Sequence, residues 1–223
     1  MRTPVLTLLL LIFALITNAQ STYVRLITNK GNITLLLYDK TPKHRDMFLQ
    51  AIKKGLYNKA QFNRVIKSFV SQGGELDETI LEREKLHPEL PIQRLAAEIT
   101  PILFHKKGAL GAGRNDNPEK SSYFSQIYLV VGKPQTDEQL DALEKKKDIK
   151  FSPSQRTTYK TLGGTPHLDN DYTIFGEIIE GMDVADAINN VTTNRNDLPL
   201  VPVTFKAVVL SKKEVQKLNK ARL

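Results

Sequence analysis

The chain contains no cysteine, which removes disulfides, thiolate zinc sites and cysteine nucleophiles together. Tryptophan is also absent, and aromatic residues make up only 7% of the 223 residues. Leucine, isoleucine and valine are plentiful, so material for an apolar core remains. The four histidines, His44, His87, His105 and His167, are scattered, with no pair at an i, i+4 spacing. That pattern argues against a metal site; surface or hydrogen-bonded core histidines are the default, and no metal or cofactor is expected. There is no internal repeat and no low-complexity linker, and 40% hydrophobic with 25% charged residues is ordinary for a globular chain. One domain is the simplest account. The net charge of +8 is dispersed among acidic residues, apart from Lys145-Lys146-Lys147 and the tail beyond Lys212. A solvated surface explains it, and no nucleic-acid partner is expected.

What is present begins with an address. Arg2 gives a positive start, residues 5–16 are an almost unbroken apolar run, and Thr17-Asn18-Ala19 closes it with a small residue. That order predicts a secretory signal peptide over 1–19, cleaved after Ala19. The alternative is a membrane anchor, but a helical span takes about 20 residues, more than the run supplies. The expectation is export to the periplasm or medium, with no stable membrane insertion once the leader is removed.

In the mature chain, two β-rich runs flank Asn29-Lys30-Gly31-Asn32 and predict a hairpin. A helix follows, with Thr41 as cap, Pro42 in the first turn and Gly55 as stop. Met47, Phe48, Ala51 and Ile52 form its apolar stripe. Residues 61–71 return to strand character, followed by β-like runs at 109–113, 125–131, 172–179 and 201–210. Short strands punctuated by glycine, with few helices, favour a barrel or sandwich. Two segments interrupt the rhythm. In 75–104, residues 77–86 read as a helix ahead of Pro88 and Pro91. In 132–164, Thr136 with Gln139 and Ser152-Pro153 with Gln155 mark two helix starts, and Gly163-Gly164 marks a stop. Ser211 with Glu214 begins a basic tail helix.

The stretch Phe62-Asn63-Arg64-Val65-Ile66-Lys67-Ser68-Phe69-Val70-Ser71-Gln72-Gly73-Gly74-Glu75 resembles the central motif of the cyclophilin family. Gly108-Ala109-Leu110-Gly111-Ala112-Gly113-Arg114, Ser125-Gln126-Ile127-Tyr128-Leu129, and Leu168-Asp169 with the run from Tyr172 to Met182 resemble three further family blocks, in the family's order. The resemblance spans residues 23–210. It implies a mainly β fold, a closed eight-stranded antiparallel barrel capped by two helices, with 75–104 and 132–164 as insertions in a domain covering 20–223. It also implies a monomeric peptidyl-prolyl cis-trans isomerase that takes proline-containing, unfolded or partly folded chains.

The chemistry needs few parts. Amide resonance resists rotation by about 18–20 kcal/mol, so uncatalysed X-Pro isomerisation takes tens to hundreds of seconds. A catalyst must bind the twisted amide better than either planar form. Twisting returns a lone pair to the prolyl nitrogen, and a fixed donor aimed there stabilises that state alone. Guanidinium stays protonated and offers five donors, so the resemblance assigns the catalytic role to Arg64. It places Phe69, Val70, Tyr128 and Leu168 around the prolyl ring, where plain core packing is the competing reading. By the same resemblance, Gln72 and Gln126 are expected to contact the substrate backbone and orient the arginine, Gly113 to lie along the peptide groove, and Arg114 and Tyr172 to complete the site. Asn63 stands where the family usually carries histidine, and Val70 where it carries methionine. The competing function is a binding module of the same fold that grips proline-containing chains without turnover. The 132–164 segment reads as an accessory insertion, either a docking surface carrying the Lys145–Lys147 run or a solvated flap.

Overall fold

Strands β1 (Thr22–Thr28) and β2 (Gly31–Leu37) form the expected hairpin, in register from Thr22↔Leu37 to Thr28↔Gly31. The computed structural model describes residues 21–222, so the leader reading at 1–19 lies outside the described residues. Alternation along β1 and β2 turns Val24, Leu26, Ile33, Leu35 and Leu37 inward, each almost fully buried. Helix α1 (Pro42–Lys53) follows and buries Met47, Phe48 and Ala51, with Ile52 half-buried beside them. Its start differs from expectation. Thr41 makes no capping hydrogen bond. The carboxylate of Glu98 instead accepts from the backbone N–H groups of Lys43 (3.1 Å) and His44 (2.8 Å). A carboxylate at a helix N-terminus satisfies the free donors and the dipole together.

The strand read over 61–71 is two strands, β3 (Ala60–Val65) and β4 (Val70–Gly74). They are joined by a turn in which Ser68 takes φ +58° and its N–H donates to the Asn189 side chain at 2.8 Å. After it come α2 (Asp77–Leu86), β5 (Arg94–Leu95), β6 (Ala109–Ala112), β7 (Ser122–Tyr123) and β8 (Gln126–Val130). Then follow α3 (Asp137–Lys147), α4 (Pro153–Thr161), β9 (Ile174–Glu180), α5 (Met182–Asn189), β10 (Val203–Val209) and α6 (Lys212–Ala221). Capping boxes close at Thr136, Ser152 and Ser211, as their spacing predicted. Helix α5 and the small β5–β7 pair were not anticipated, and helices are more numerous than the strand-dominated reading held.

Eight strands close into an antiparallel barrel in the order β1-β10-β3-β4-β8-β6-β9-β2. Closure leaves no free edge among them. The interior is filled by Leu26, Leu35, Phe62, Leu110, Ile127 and Phe205, with Phe48 from α1 and Ile188 from α5 closing the core. A second apolar cluster, Val70, Ala109, Tyr128, Val130 and Ile174, gathers Phe69, Leu168 and Tyr172 around it and meets the surface. Among the described residues no helix is long and apolar enough to cross a membrane.

Candidate active site

That second cluster forms one end of a cleft of about 460 Å³. The lining includes Arg64, Phe69, Val70, Gln72, Gly113, Arg114, Gln126, Tyr128, Leu168 and Tyr172, so every site residue read from the sequence meets in one place. Arg64 and Gln72 face each other across the β3–β4 pair, and Gln72 is paired in turn with Tyr128 on β8. Neighbouring strands therefore present the guanidinium and the apolar floor to the same space.

Arg64 is 42% exposed, and its Nε lies 3.8 Å from Oδ2 of Asp197. Asp197 sits in the loop before β10 with φ +61°, and its carbonyl accepts from the Val65 N–H at 2.8 Å. The loop is thus anchored to the strand that carries Arg64. Among the described residues no hydrogen bond joins Arg64 to Gln72 or Gln126. The Gln126 amide donates to the Glu75 carbonyl (3.0 Å) and to Asp77 Oδ1 (2.6 Å). Its other end closes over Gly113, where a Cβ would meet Oε1 at 1.9 Å. Glycine at this position is therefore what lets Gln126 lie flat along the groove.

The apolar end is built from stacked rings. Phe69 lies against the His167 ring at 5.2 Å, and Tyr172 meets Tyr128 edge-on at 6.0 Å. Arg114, only 8% exposed, lays its guanidinium over Tyr172 at 4.6 Å and donates from Nε to the Asp171 carbonyl at 2.7 Å. Its charge is used to hold the wall. Burial pushes the Tyr128 hydroxyl's pKa up, so it stays a protonated donor. Its ring covers Gly111, where a Cβ would meet the ring at 2.1 Å.

The cleft also holds residues the sequence reading did not assign. Leu76, Asp77 and Glu78, from the start of α2, form one wall, and Asn196 lies beside the arginine. Asn63 donates to the Gly74 carbonyl at 2.6 Å, while its Oδ1 is buried without a partner.

Residues 23–209 match the family model described as cyclophilin type peptidyl-prolyl cis-trans isomerase/CLD. A putative peptidyl-prolyl cis-trans isomerase of Staphylococcus saprophyticus is 33% identical over 182 residues, covering 81% of this chain and 87% of that protein. Among solved structures, a cyclophilin type peptidyl-prolyl cis-trans isomerase of Cryptosporidium parvum superposes with a TM-score of 0.61 at 21% identity, covering 86% of this chain and 99% of that one. The same protein solved in the presence of the dipeptide Ala-Pro gives 0.60 at 22% identity, over 85% and 99%. At these identities the structures speak for the fold, and the family match and the staphylococcal relative speak for the family. The fold is that of a proline isomerase, and the chain belongs to the cyclophilin-type peptidyl-prolyl cis-trans isomerases.

Proposed function

We propose that the chain isomerises X-Pro bonds in exported proteins, with Arg64 as the donor to the prolyl nitrogen of the twisted amide. The observation that carries this is the placing of a half-exposed Arg64 guanidinium in one cleft with Phe69, Val70, Tyr128 and Leu168. The prolyl ring enters the apolar end and the preceding residues lie along Gly113 and Gln126. Asp197 lies beside Nε at 3.8 Å and leaves the terminal N–H groups of the guanidinium for the amide. As the bond twists, the nitrogen lone pair gains a charge-assisted hydrogen bond that neither planar form receives. The Cryptosporidium parvum protein solved with Ala-Pro supports carrying a proline-containing ligand to this cleft. The substrate class rests on the leader pattern of residues 1–19.

The experiment begins with protein recovered from the envelope or medium of a producing cell, whose N-terminal sequence is expected to start at Gln20. Full-length chain held in the membrane would remove the exported-substrate reading. Turnover of an X-Pro peptide is then measured for the mature chain and for Arg64→Ala, with circular dichroism on both. Arg64→Ala is expected to keep the fold and to lose at least about an order of magnitude in rate, equivalent to about 1.4 kcal/mol. Unchanged turnover assigns the chemistry to another group, and a wild-type chain without turnover is a binder.

A further inference from the structure

The α3–α4 segment enters and leaves the barrel at one point. The backbones of Lys133 and Gly164 are bridged there, and a Cβ on Gly132 would meet the Gly164 carbonyl carbon at 2.3 Å. Beyond that neck it has its own small core of Leu140, Phe151 and Tyr159. Two of its side chains leave that core and reach back to the cleft wall.

Lys147, at the end of α3, donates from Nζ to the carbonyls of His167 (2.9 Å) and Asp169 (2.6 Å) and to the Asp171 carboxylate (2.6 Å). Leu168, which lines the cleft, lies between the two gripped carbonyls, and Tyr172 directly follows the third contact. Tyr159, on α4, donates its buried hydroxyl to Asp169 Oδ2 at 2.5 Å. Asp169 Oδ1 accepts from the backbone N–H of His105 (2.9 Å) and from its ring Nδ1 (2.7 Å). With Nδ1 protonated toward the carboxylate, Nε2 is left to accept from the Tyr128 hydroxyl at 2.8 Å. A continuous chain of hydrogen bonds therefore runs from α4 to the floor of the cleft.

Apolar burial holds a side chain in place without fixing its orientation, whereas hydrogen bonds are directional. Tyr128 and Leu168 need orientation, because a ring pocket that tilts loses contact along one side. We infer that α3 and α4 are positioning elements of the cleft, acting through Lys147 on Leu168 and through Tyr159, Asp169 and His105 on Tyr128. This rests on the cleft being the proline site. It also alters the expected use of the lysine run. Lys147 is spent inside the molecule, and only Lys145 and Lys146 face solvent.

The test uses the mature chain and the tetrapeptide Ala-Ala-Pro-Phe, with the dissociation constant and the exchange rate at saturation both measured by NMR. Tyr159→Phe keeps the ring that packs on Phe104 and Phe151 and removes only the hydroxyl. Tyr159→Phe and Lys147→Met are each expected to weaken peptide binding by at least about fivefold while leaving the saturated rate within about twofold, since the first takes a donor from the buried Asp169 carboxylate and the second frees the backbone on both sides of Leu168. Lys147→Arg, which keeps donors at that place, is expected to restore binding. Arg64→Ala has the opposite signature, a lost rate with binding largely kept. Wild-type affinity in Tyr159→Phe overturns the inference, as does a lost saturated rate with affinity unchanged. Should Lys147→Met fail to fold, Tyr159→Phe decides alone. If Arg64→Ala leaves the rate untouched, the arginine reading falls and the affinity series still stands.

Discussion

In the barrel, strands from both ends of the chain meet around Leu35, Phe48, Ile127 and Phe175, none of which exposes surface. The α3–α4 insertion buries a smaller set, Leu140, Phe151 and Tyr159, with Leu143 and Ile149 half-buried against them. It makes up the difference with polar contacts. Glu144 accepts from the Phe151 N–H at 2.8 Å and from Lys150 at 2.9 Å, and Arg156 pairs with Asp137 and Asp141. Area buried in the barrel is non-directional and cooperative, so no single contact sets its shape. The insertion has too little apolar area for that and is placed by contacts that each have a direction and a charge. The barrel is therefore the stable part, while the insertion is the part whose position can be adjusted by single side chains or by solution conditions.

The largest expected effect tests the barrel half of that contrast. Leu35→Ala removes a fully buried side chain from the closed sheet, at a cost of about 2–5 kcal/mol. Urea unfolding followed on the whole molecule should show it as one cooperative shift. A loss well below about 2 kcal/mol would mean that the core collapses around the gap and is less tightly packed than described.

Acid should weaken the insertion and, through the lowered pKa of Glu98, the cap of α1. Hydrogen bonds from Lys160 and Arg156 hold the Asp137 carboxyl below its ordinary range, and Lys150 with the Phe151 N–H does the same for Glu144. At Asp171 burial works the other way, but Lys120 and Lys147 prevail and its pKa is also lowered. Groups depressed in the fold contribute stability that is present above their unfolded pKa values, about 4. That stability is lost as the pH falls through the lower folded values. The amide protection factors of α3 and α4 are expected to fall below about pH 4 while those of β1 and β2 hold. Simultaneous loss in both regions would show that the insertion shares the barrel's cooperativity.

The smallest effects separate two caps that look alike in sequence. Thr136 completes a capping box, so Thr136→Ala should cost about 1 kcal/mol. Thr41 makes no capping bond, and its hydroxyl is buried without a partner. Thr41→Val, of the same shape, should be neutral or stabilising. Thermal melts of the two variants side by side decide the point.

That last pair marks where the sequence was legible. Thr136-Gln139 and Ser152-Gln155 could be read because both halves of each box lie three residues apart. The true cap of α1 is Glu98, brought by folding from another part of the chain, and no local pattern announces it. Arg64, Phe69, Gln72, Gln126 and Tyr128 were found because a family motif gathers them. Asp197, which stands beside Arg64, lies in a loop with no motif of its own. The turn at Ser68 was hidden between the apolar pairs Val65-Ile66 and Phe69-Val70, where strand and turn differ by one residue in the left-handed region. Helix α5 begins at Gly181 with no side-chain cap. The spacing of Met182, Ala185 and Ile188 was its available signal.

The neck at Gly132, Lys133 and Gly164 has a consequence for engineering. Because both ends of the inserted loop meet there, its contents can be exchanged for any folded unit with neighbouring termini while β8 and β9 keep their register. A unit put in its place would lack Lys147 and Tyr159, so the exchange would cut both ties from the segment to the cleft wall. The groove of such a chimaera would be set by the barrel alone, and any linkage between the inserted segment and the occupancy of the groove would be lost.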